Sequence, residues 1–153
     1  MLFGRIESDL AWCDFVVLRM LRRWVAARTA QIRPLPSLVA LAHELDLSFE
    51  IAVGLDSLFQ LTENCLGREL RAECCCCPEL LPDERAILAL MATAPAPLGA
   101  RTSPVIPHGL PGALCWAVAT VRSALGYVVD SPARYTSAKC PFEGAPAAVT
   151  VKA

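Results

Sequence analysis

The chain has little of what the common catalytic motifs require. It contains two histidines among 153 residues, and His43-Glu44 is not followed by the second histidine of an H-E-x-x-H zinc-protease helix. The nucleophile motif Gly-x-Ser-x-Gly is missing. The stretch 107–112 contains two glycines, but it lacks the lysine and the preceding strand of a phosphate-binding loop. The sequence therefore gives no support for catalysis.

The sequence also lacks an export signal and a membrane-spanning stretch. Residues 1–9 include acidic side chains where a signal peptide needs an apolar core. The longest uncharged stretch, 102–121, is interrupted by three prolines and a histidine, which is not typical of a transmembrane helix. We therefore expect a cytoplasmic protein whose eight cysteines are mostly reduced thiols.

Charged residues are few and unevenly distributed. They make up 19% of the chain against 55% hydrophobic residues, and this excess predicts either a well-filled core or an apolar surface that a partner covers. Residues 1–33 carry six arginines and three acids, whereas residues 34–90 carry three arginines and ten acids. We expect the basic first segment to pair with the acidic middle inside the fold, and we do not expect a nucleic-acid partner.

What the chain does have is apolar periodicity at helical spacing. It predicts an all-α fold, a small antiparallel bundle of four or five helices. Helices are expected at about 8–29, from Ser37 onward, at about 48–71, from Pro82 to before Pro95, and from about Pro111 to Gly126. The second and third are alternatively one long kinked helix. Residues 1–126 form the predicted helical domain, and residues 127–153, which contain three prolines, form an irregular tail.

The first predicted helix is apolar on more than one face. Its main face is formed by residues at helical spacing: Cys13, Val17, Met20, Trp24 and Ala27. Arg22 and its neighbouring arginines are expected to lie largely away from that face, yet Phe15 and Leu18 fall on the arginine side. Such a helix is either central in a bundle or part of a subunit interface. We therefore expect a protein partner or a homo-oligomer through this helix.

The most distinctive feature is a run of four cysteines, residues 74–77. In a reducing compartment, a cysteine cluster points to metal or redox chemistry more than to structural disulfides. Cys74 and Cys77 have the C-x-x-C spacing of metal sites and redox pairs. Four adjacent side chains point in different directions and cannot all bind one ion. We predict a site for zinc or copper(I) formed by Cys74, Cys77 and, from the preceding helix, Cys65.

Three alternatives stay open for the cysteine run. A metal site could take its further ligands from the remaining cysteines and histidines: Cys13, Cys115, Cys140, His43 and His108. A redox pair is the second alternative, although Glu73 and Glu79 would raise the pKa of the neighbouring thiols and Arg71 is the only close positive group. The third is a structural role, in which the cysteines form an apolar turn between two helices.

Two segments of the chain carry a resemblance. Residues 74–90, CCCCPELLPDERAILAL, place a cysteine cluster just ahead of a helix that starts with an acidic pair, and residues 13–23 read CDFVVLRMLRR. Both segments resemble a family of short alphaproteobacterial proteins of unknown function, which has a cysteine triplet where this chain has four. The resemblance implies a bacterial helical protein, and it implies no activity and no catalytic residue.

These patterns predict a non-enzymatic helical protein with an interaction or regulatory role. The alternative is a thiolate metal-binding or thiol redox-sensing protein that uses the run from Cys74 to Cys77. The two differ in what the cysteines do, which depends on whether their sulfur atoms come together on the surface or are sealed in the interior.

Overall fold

The computed structural model describes residues 11–93 and 110–126, which form five α-helices. In chain order they are α1 (Trp12–Thr29), α2 (Pro34–Glu44), α3 (Phe49–Leu66), α4 (Pro82–Thr93) and α5 (Leu110–Leu125). These ranges contain no β-strand and the helices pack on one another, so the all-α prediction is confirmed. None of the five helices is long and apolar enough to cross a membrane. The predicted tail, 127–153, lies outside the described residues.

Two helices begin at different residues than the sequence predicted. The second helix was predicted from Ser37 onward, but α2 begins three residues earlier, at Pro34. Proline is favoured at the first helical position because its fixed φ is helical and the amide hydrogen that it lacks would have no helical partner there. The first helix begins later than predicted, at Trp12 instead of near Ser8.

A turn separates α2 from α3, so the two are not one kinked helix. Asp46 has a φ of 55°, in the left-handed region, and the amide of Leu47 donates to the carbonyl oxygen of Ala42 at 2.8 Å. This is the hydrogen-bond pattern of a Schellman cap. Helix α3 in turn ends at Leu66, earlier than predicted, because Gly67 adopts a φ of 66° there.

Helix α1 lies in the centre of the described helices, and it contacts α2, α3 and α4. Its buried residues cover most of its circumference: Val16, Val17, Leu18, Met20, Leu21, Arg22, Trp24 and Ala27. The central position, one of two predicted alternatives, is therefore confirmed. Arg22 lies on the side of α1 opposite its main apolar face, as predicted, but it is buried there and has polar partners.

Helices α3 and α5 approach each other closely at Gly54. A Cβ atom at this position would lie 3.1 Å from Cγ2 of Val121, so glycine allows the two backbones to come near each other. Val118 and Val121 of α5 are buried, and Leu114 and Leu125 are half-buried against the same core.

Three of the four arginines of α1 pair with the acidic middle of the chain. Arg23 lies 3.9 Å from the carboxylate of Glu44 on the surface. Arg28 pairs with Glu63 of α3, and its guanidinium lies 4.8 Å from the ring centroid of Trp24. A third, buried pair joins α1 to α4. The predicted matching of charges inside the fold is confirmed for these residues.

Replacement of Trp24 by alanine tests the central position of α1. Trp24 is 2% exposed, its ring centroid lies 5.6 Å from that of Phe59, and its indole N–H donates to Asp56 at 2.8 Å. We expect Trp24→Ala to lower the free energy of unfolding by about 3–5 kcal/mol, measured by urea denaturation. The control is Trp116→Ala, since Trp116 is 51% exposed, and its effect should stay within about 0.5 kcal/mol. Equal losses for the two variants would contradict the placement of Trp24 in the core.

Candidate thiolate metal centre

The connection from α3 to α4, residues 67–81, carries the cysteine run and has no regular secondary structure. Its first half is fixed at Leu70, whose side chain is buried. The N–H of Leu70 donates to the carboxylate of Glu63 at 2.6 Å, and its carbonyl oxygen accepts from Arg28 at 2.8 Å. In a helix or a strand, the backbone N–H and carbonyl groups pair with each other. In this connection, side chains of α3 and α1 pair with the backbone groups of Leu70 instead.

A bidentate ion pair joins the same connection to the start of α4. The two terminal nitrogens of Arg68 each donate to the carboxylate of Asp83 at 2.8 Å, and the backbone N–H of Arg71 donates to it at 2.9 Å. The hydrogen bond from Arg68 holds the pKa of Asp83 below its usual value. Asp83 lies in the first turn of α4, where the helix dipole stabilises a negative charge. The predicted start of this helix at Pro82 is confirmed.

The next residue, Glu84, is fully buried. Its Oε2 accepts from the N–H of Leu81 at 2.7 Å, which satisfies an amide at the N-terminus of α4 as the glutamate of a capping box does. Its Oε1 accepts from Nε of Arg22 at 2.6 Å and from the N–H of Glu73 at 3.2 Å. Glu84 therefore joins the central helix, the connection and α4 at one carboxylate.

Arg22 extends from α1 to the cysteine run through its remaining N–H groups. Nη1 donates to the carbonyl oxygens of Cys74 at 3.0 Å and Cys77 at 2.8 Å. Nη2 donates to the carbonyl oxygen of Glu79 at 2.9 Å and to the second carboxylate oxygen of Glu84 at 3.3 Å. Each of the five N–H donors of the guanidinium thus has an acceptor. All of these acceptors are oxygens, so Arg22 fixes the backbone of the run without engaging its sulfur atoms.

The cysteine run forms a β-turn. The N–H of Cys77 donates to the carbonyl oxygen of Cys74 at 3.2 Å, which is the first-to-fourth hydrogen bond of such a turn. The turn brings the Sγ atoms of Cys74, Cys76 and Cys77 within 4.8 Å of one another, with 3.1 Å between Cys74 and Cys76. Cys74 and Cys76 are exposed and Cys77 is half-buried. Cys75 is exposed but lies outside this group of three thiols.

The three clustered thiols share their protons unequally. Hydrogen bonds from Cys77 and Cys76 lower the pKa of Cys74 from 9.0 to about 7. The hydrogen bond that Cys77 gives to Cys74 raises the pKa of Cys77 to about 12, and burial and Glu73 act in the same direction. The pKa of Cys76 is raised, first of all by its own hydrogen bond to Cys74. Glu73 thus raises the pKa of Cys77 as the sequence predicted, although the hydrogen bond to Cys74 is the largest cause. Neighbouring thiols decide the pKa of Cys74.

Two of the predicted metal ligands, Cys74 and Cys77, lie together, and Cys76 is the third thiol beside them. Cys65, the third ligand predicted from the sequence, lies in the last turn of α3, is exposed and is not one of the three clustered thiols. The remaining candidates lie elsewhere: Cys13 and Cys115 are half-buried, His43 is exposed, and Cys140 and His108 are outside the described residues.

Sequence reasoning did not identify Arg22 and Glu84 as parts of this site. Nothing local distinguishes Arg22 from Arg19 or Arg23 in the same helix. Glu84 did carry a signal, because a glutamate at the third position of a helix commonly accepts from the N-cap amide. That signal predicts the cap, but it does not predict a partner 62 residues earlier in the chain.

Comparisons with protein-family models, with curated proteins and with solved structures find no match for this chain. The resemblance of residues 13–23 and 74–90 to short alphaproteobacterial proteins therefore stays a prediction. Function is inferred from the geometry of the three thiols and of the groups that fix their turn.

The uneven pKa values predict selective alkylation of Cys74. The thiolate and not the thiol reacts with iodoacetamide, so the rate at each cysteine rises with pH through its pKa. With a pKa of about 7 for Cys74 and about 12 for Cys77, we expect Cys74 to reach half its maximal rate near pH 7, while Cys77 stays slow at neutral pH. Tandem mass spectrometry of the tryptic peptide 72–85 locates the modified residue. In Cys77→Ala, the pH at which Cys74 reaches half its maximal alkylation rate should move up toward 9.0. The same pH in both proteins would contradict the claim that a hydrogen bond from Cys77 lowers the pKa of Cys74.

Proposed function

We propose that this protein binds one thiophilic metal ion through the thiolates of Cys74, Cys76 and Cys77. The observation that supports the proposal is the approach of the three Sγ atoms to within 4.8 Å of one another on a single turn. Metal–sulfur bonds of about 2.3 Å place sulfur atoms roughly 4 Å apart around a shared ion. Modest rotation of the side chains would therefore complete the site, with no residue recruited from another part of the chain.

The number of thiols favours copper(I) over zinc. A structural zinc site has four protein ligands in a tetrahedron, and within residues 11–93 and 110–126 no fourth candidate ligand joins the three sulfurs. Copper(I) is a soft ion that thiolates select, and it is satisfied by fewer ligands than zinc. Zinc on the same three thiolates would keep an open fourth position, the arrangement of catalytic zinc sites.

The turn is held by hydrogen bonds that do not involve an ion. Arg22 bonds to the carbonyl oxygens of Cys74 and Cys77, the first and last residues of the run. Binding then requires little further ordering of the chain, and such pre-organisation favours affinity. Small zinc domains that are unfolded without metal are the opposite case. Because the ion must displace thiol protons, its affinity should increase as the pH rises.

Anaerobic titration of the reduced protein with copper(I), against a chromophoric chelator, tests the proposal. We expect a single high-affinity ion per chain. Each of Cys74→Ser, Cys76→Ser and Cys77→Ser should lower the affinity by more than about tenfold, since even outer-shell substitutions at metal sites cost that much. Cys75→Ser is the matched control from the same turn, because Cys75 lies outside the group.

Two outcomes of that titration would contradict the proposal. One is the absence of a high-affinity ion in the wild-type protein. The other is an equal loss of affinity in Cys75→Ser and in the three ligand variants, which would indicate non-specific capture by a cysteine-rich surface. The variant Cys65→Ser distinguishes two choices of the third ligand: Cys65, which the sequence predicted, and Cys76, which the structure places beside Cys74 and Cys77. If Cys76 is the third ligand, the Cys65 variant keeps the affinity of the wild type.

The interaction or regulatory role expected from the sequence stays a prediction beside this one. The observation that favours it is the exposure of several large apolar side chains: Trp12, Ile32, Val39, Phe49, Val53 and Trp116. The buried apolar residues of α1 are covered by other helices of the same chain. A homo-oligomer through α1 would therefore have to use its exposed residues, such as Trp12, and light scattering of the purified protein measures whether one forms.

A further inference from the structure

The two ends of the cysteine turn are positioned for a disulfide. The hydrogen bond from the N–H of Cys77 to the carbonyl oxygen of Cys74, at 3.2 Å, closes the turn, and the first and fourth Cα atoms of a β-turn are less than about 7 Å apart. A disulfide joins Cα atoms separated by about 4.4–6.8 Å. The two Sγ atoms already lie within 4.8 Å. Rotation of the side chains can therefore close this bond while the backbone stays in place.

The groups that fix the turn do not oppose the bond. Arg22 contacts Cys74 and Cys77 only through their carbonyl oxygens, so oxidation of the sulfurs leaves those hydrogen bonds intact. Cys74 is exposed and Cys77 is half-buried, which gives a small oxidant access to Cys74 first. Cys76 is close to Cys74 as well, at 3.1 Å between the sulfurs. A disulfide between these two would enclose a single residue, and strain of that kind makes the bond easily reduced.

We propose that Cys74 and Cys77 form a reversible intramolecular disulfide on reaction with hydrogen peroxide, so that this turn is also a thiol–disulfide switch. The disulfide would remove two of the three sulfur ligands, and oxidation would thereby release the metal ion. The release of the metal rests on the proposed metal binding, whereas the formation of the disulfide holds for the metal-free protein. The same turn then has a reduced, metal-binding form and an oxidised form with only Cys76 left as a ligand.

The reaction balances with one molecule of peroxide. The thiolate of Cys74 attacks one peroxide oxygen, the O–O bond breaks, and the departing hydroxide takes a proton to become water, which leaves a sulfenic acid on Cys74. The sulfur of Cys77 then attacks the sulfenic sulfur, the S–O bond breaks, and the second water departs with the thiol proton. In total, two thiols and hydrogen peroxide give a disulfide and two molecules of water. A dithiol or a phosphine reverses the change by supplying two electrons to the disulfide. The dithiol is oxidised to its own disulfide, and the phosphine, with oxygen from water, to a phosphine oxide.

The assignment of the bond requires variants, because one tryptic peptide, residues 72–85, contains all four cysteines of the run. The metal-free Cys75→Ser/Cys76→Ser double variant keeps Cys74 and Cys77 as the only thiols of this peptide. After treatment of this variant with equimolar peroxide, peptide 72–85 should be lighter by the mass of two hydrogens. A phosphine reductant should restore the original mass. Adding Cys77→Ser to this background should stop the reaction at a sulfenic acid on Cys74 that dimedone traps. Circular dichroism checks that each variant is folded.

Several results would overturn the switch. The first is oxidation of the wild-type protein but not of the double variant, which would assign the bond to Cys75 or Cys76. The second is a disulfide between two chains, and the third is no loss of thiols on treatment with peroxide. Copper(I) titration of the oxidised wild-type protein tests the release of the metal, since we expect binding to be lost and to return on reduction. Unchanged copper binding after oxidation would overturn the metal release alone. Failure of the reduced protein to bind copper would overturn the proposed function while the disulfide result stands.

Discussion

The buried guanidinium of Arg22 is the group on which the arrangement of this protein depends. It connects the central helix α1 to Glu84 at the start of α4 and to three carbonyl oxygens of the connection before α4. In a buried ion pair, removal of one partner leaves an uncompensated charge and costs about 3–5 kcal/mol. Packing of α1 against α4 and the conformation of the cysteine run therefore depend on the same side chain. A connection without regular secondary structure obtains a defined shape in this way.

The division between oxygen and sulfur contacts explains how the turn can be both fixed and reactive. Arg22 takes the carbonyl oxygens of Cys74 and Cys77, and the turn directs three sulfurs toward one another at the surface. An ion or an oxidant then meets thiols whose backbone is already in place. Metal binding and disulfide formation would compete for the same sulfur atoms. A site of the proposed kind would link the occupancy of the metal to the redox state of its surroundings without a large change in fold.

Much of the fold follows from local sequence, whereas the site does not. Apolar spacing predicted the helices, and the acids after Pro82 predicted the start of α4. The start of α2 was misplaced at Ser37, whereas the helix begins at Pro34 because proline is favoured at a first helical position. The cysteine run marked the place of the site, but the choice of Cys76 as the third thiol depends on a turn that spacing alone does not specify. Burial of Arg22 depends on a partner 62 residues away, which no local pattern contains.

The affinity for copper(I) of Arg22→Lys is the most direct test of this account. Lysine keeps the positive charge opposite Glu84, but it cannot donate to both carbonyl oxygens of the turn and to the carboxylate in the fixed geometry of a guanidinium. Arg23→Lys is the matched control, because Arg23 is the exposed neighbour in the same helix. Under anaerobic conditions in which both variants are folded, we expect Arg22→Lys to bind copper(I) about 10–100-fold more weakly than Arg23→Lys. Equal affinities would contradict the claim that Arg22 positions the three thiols.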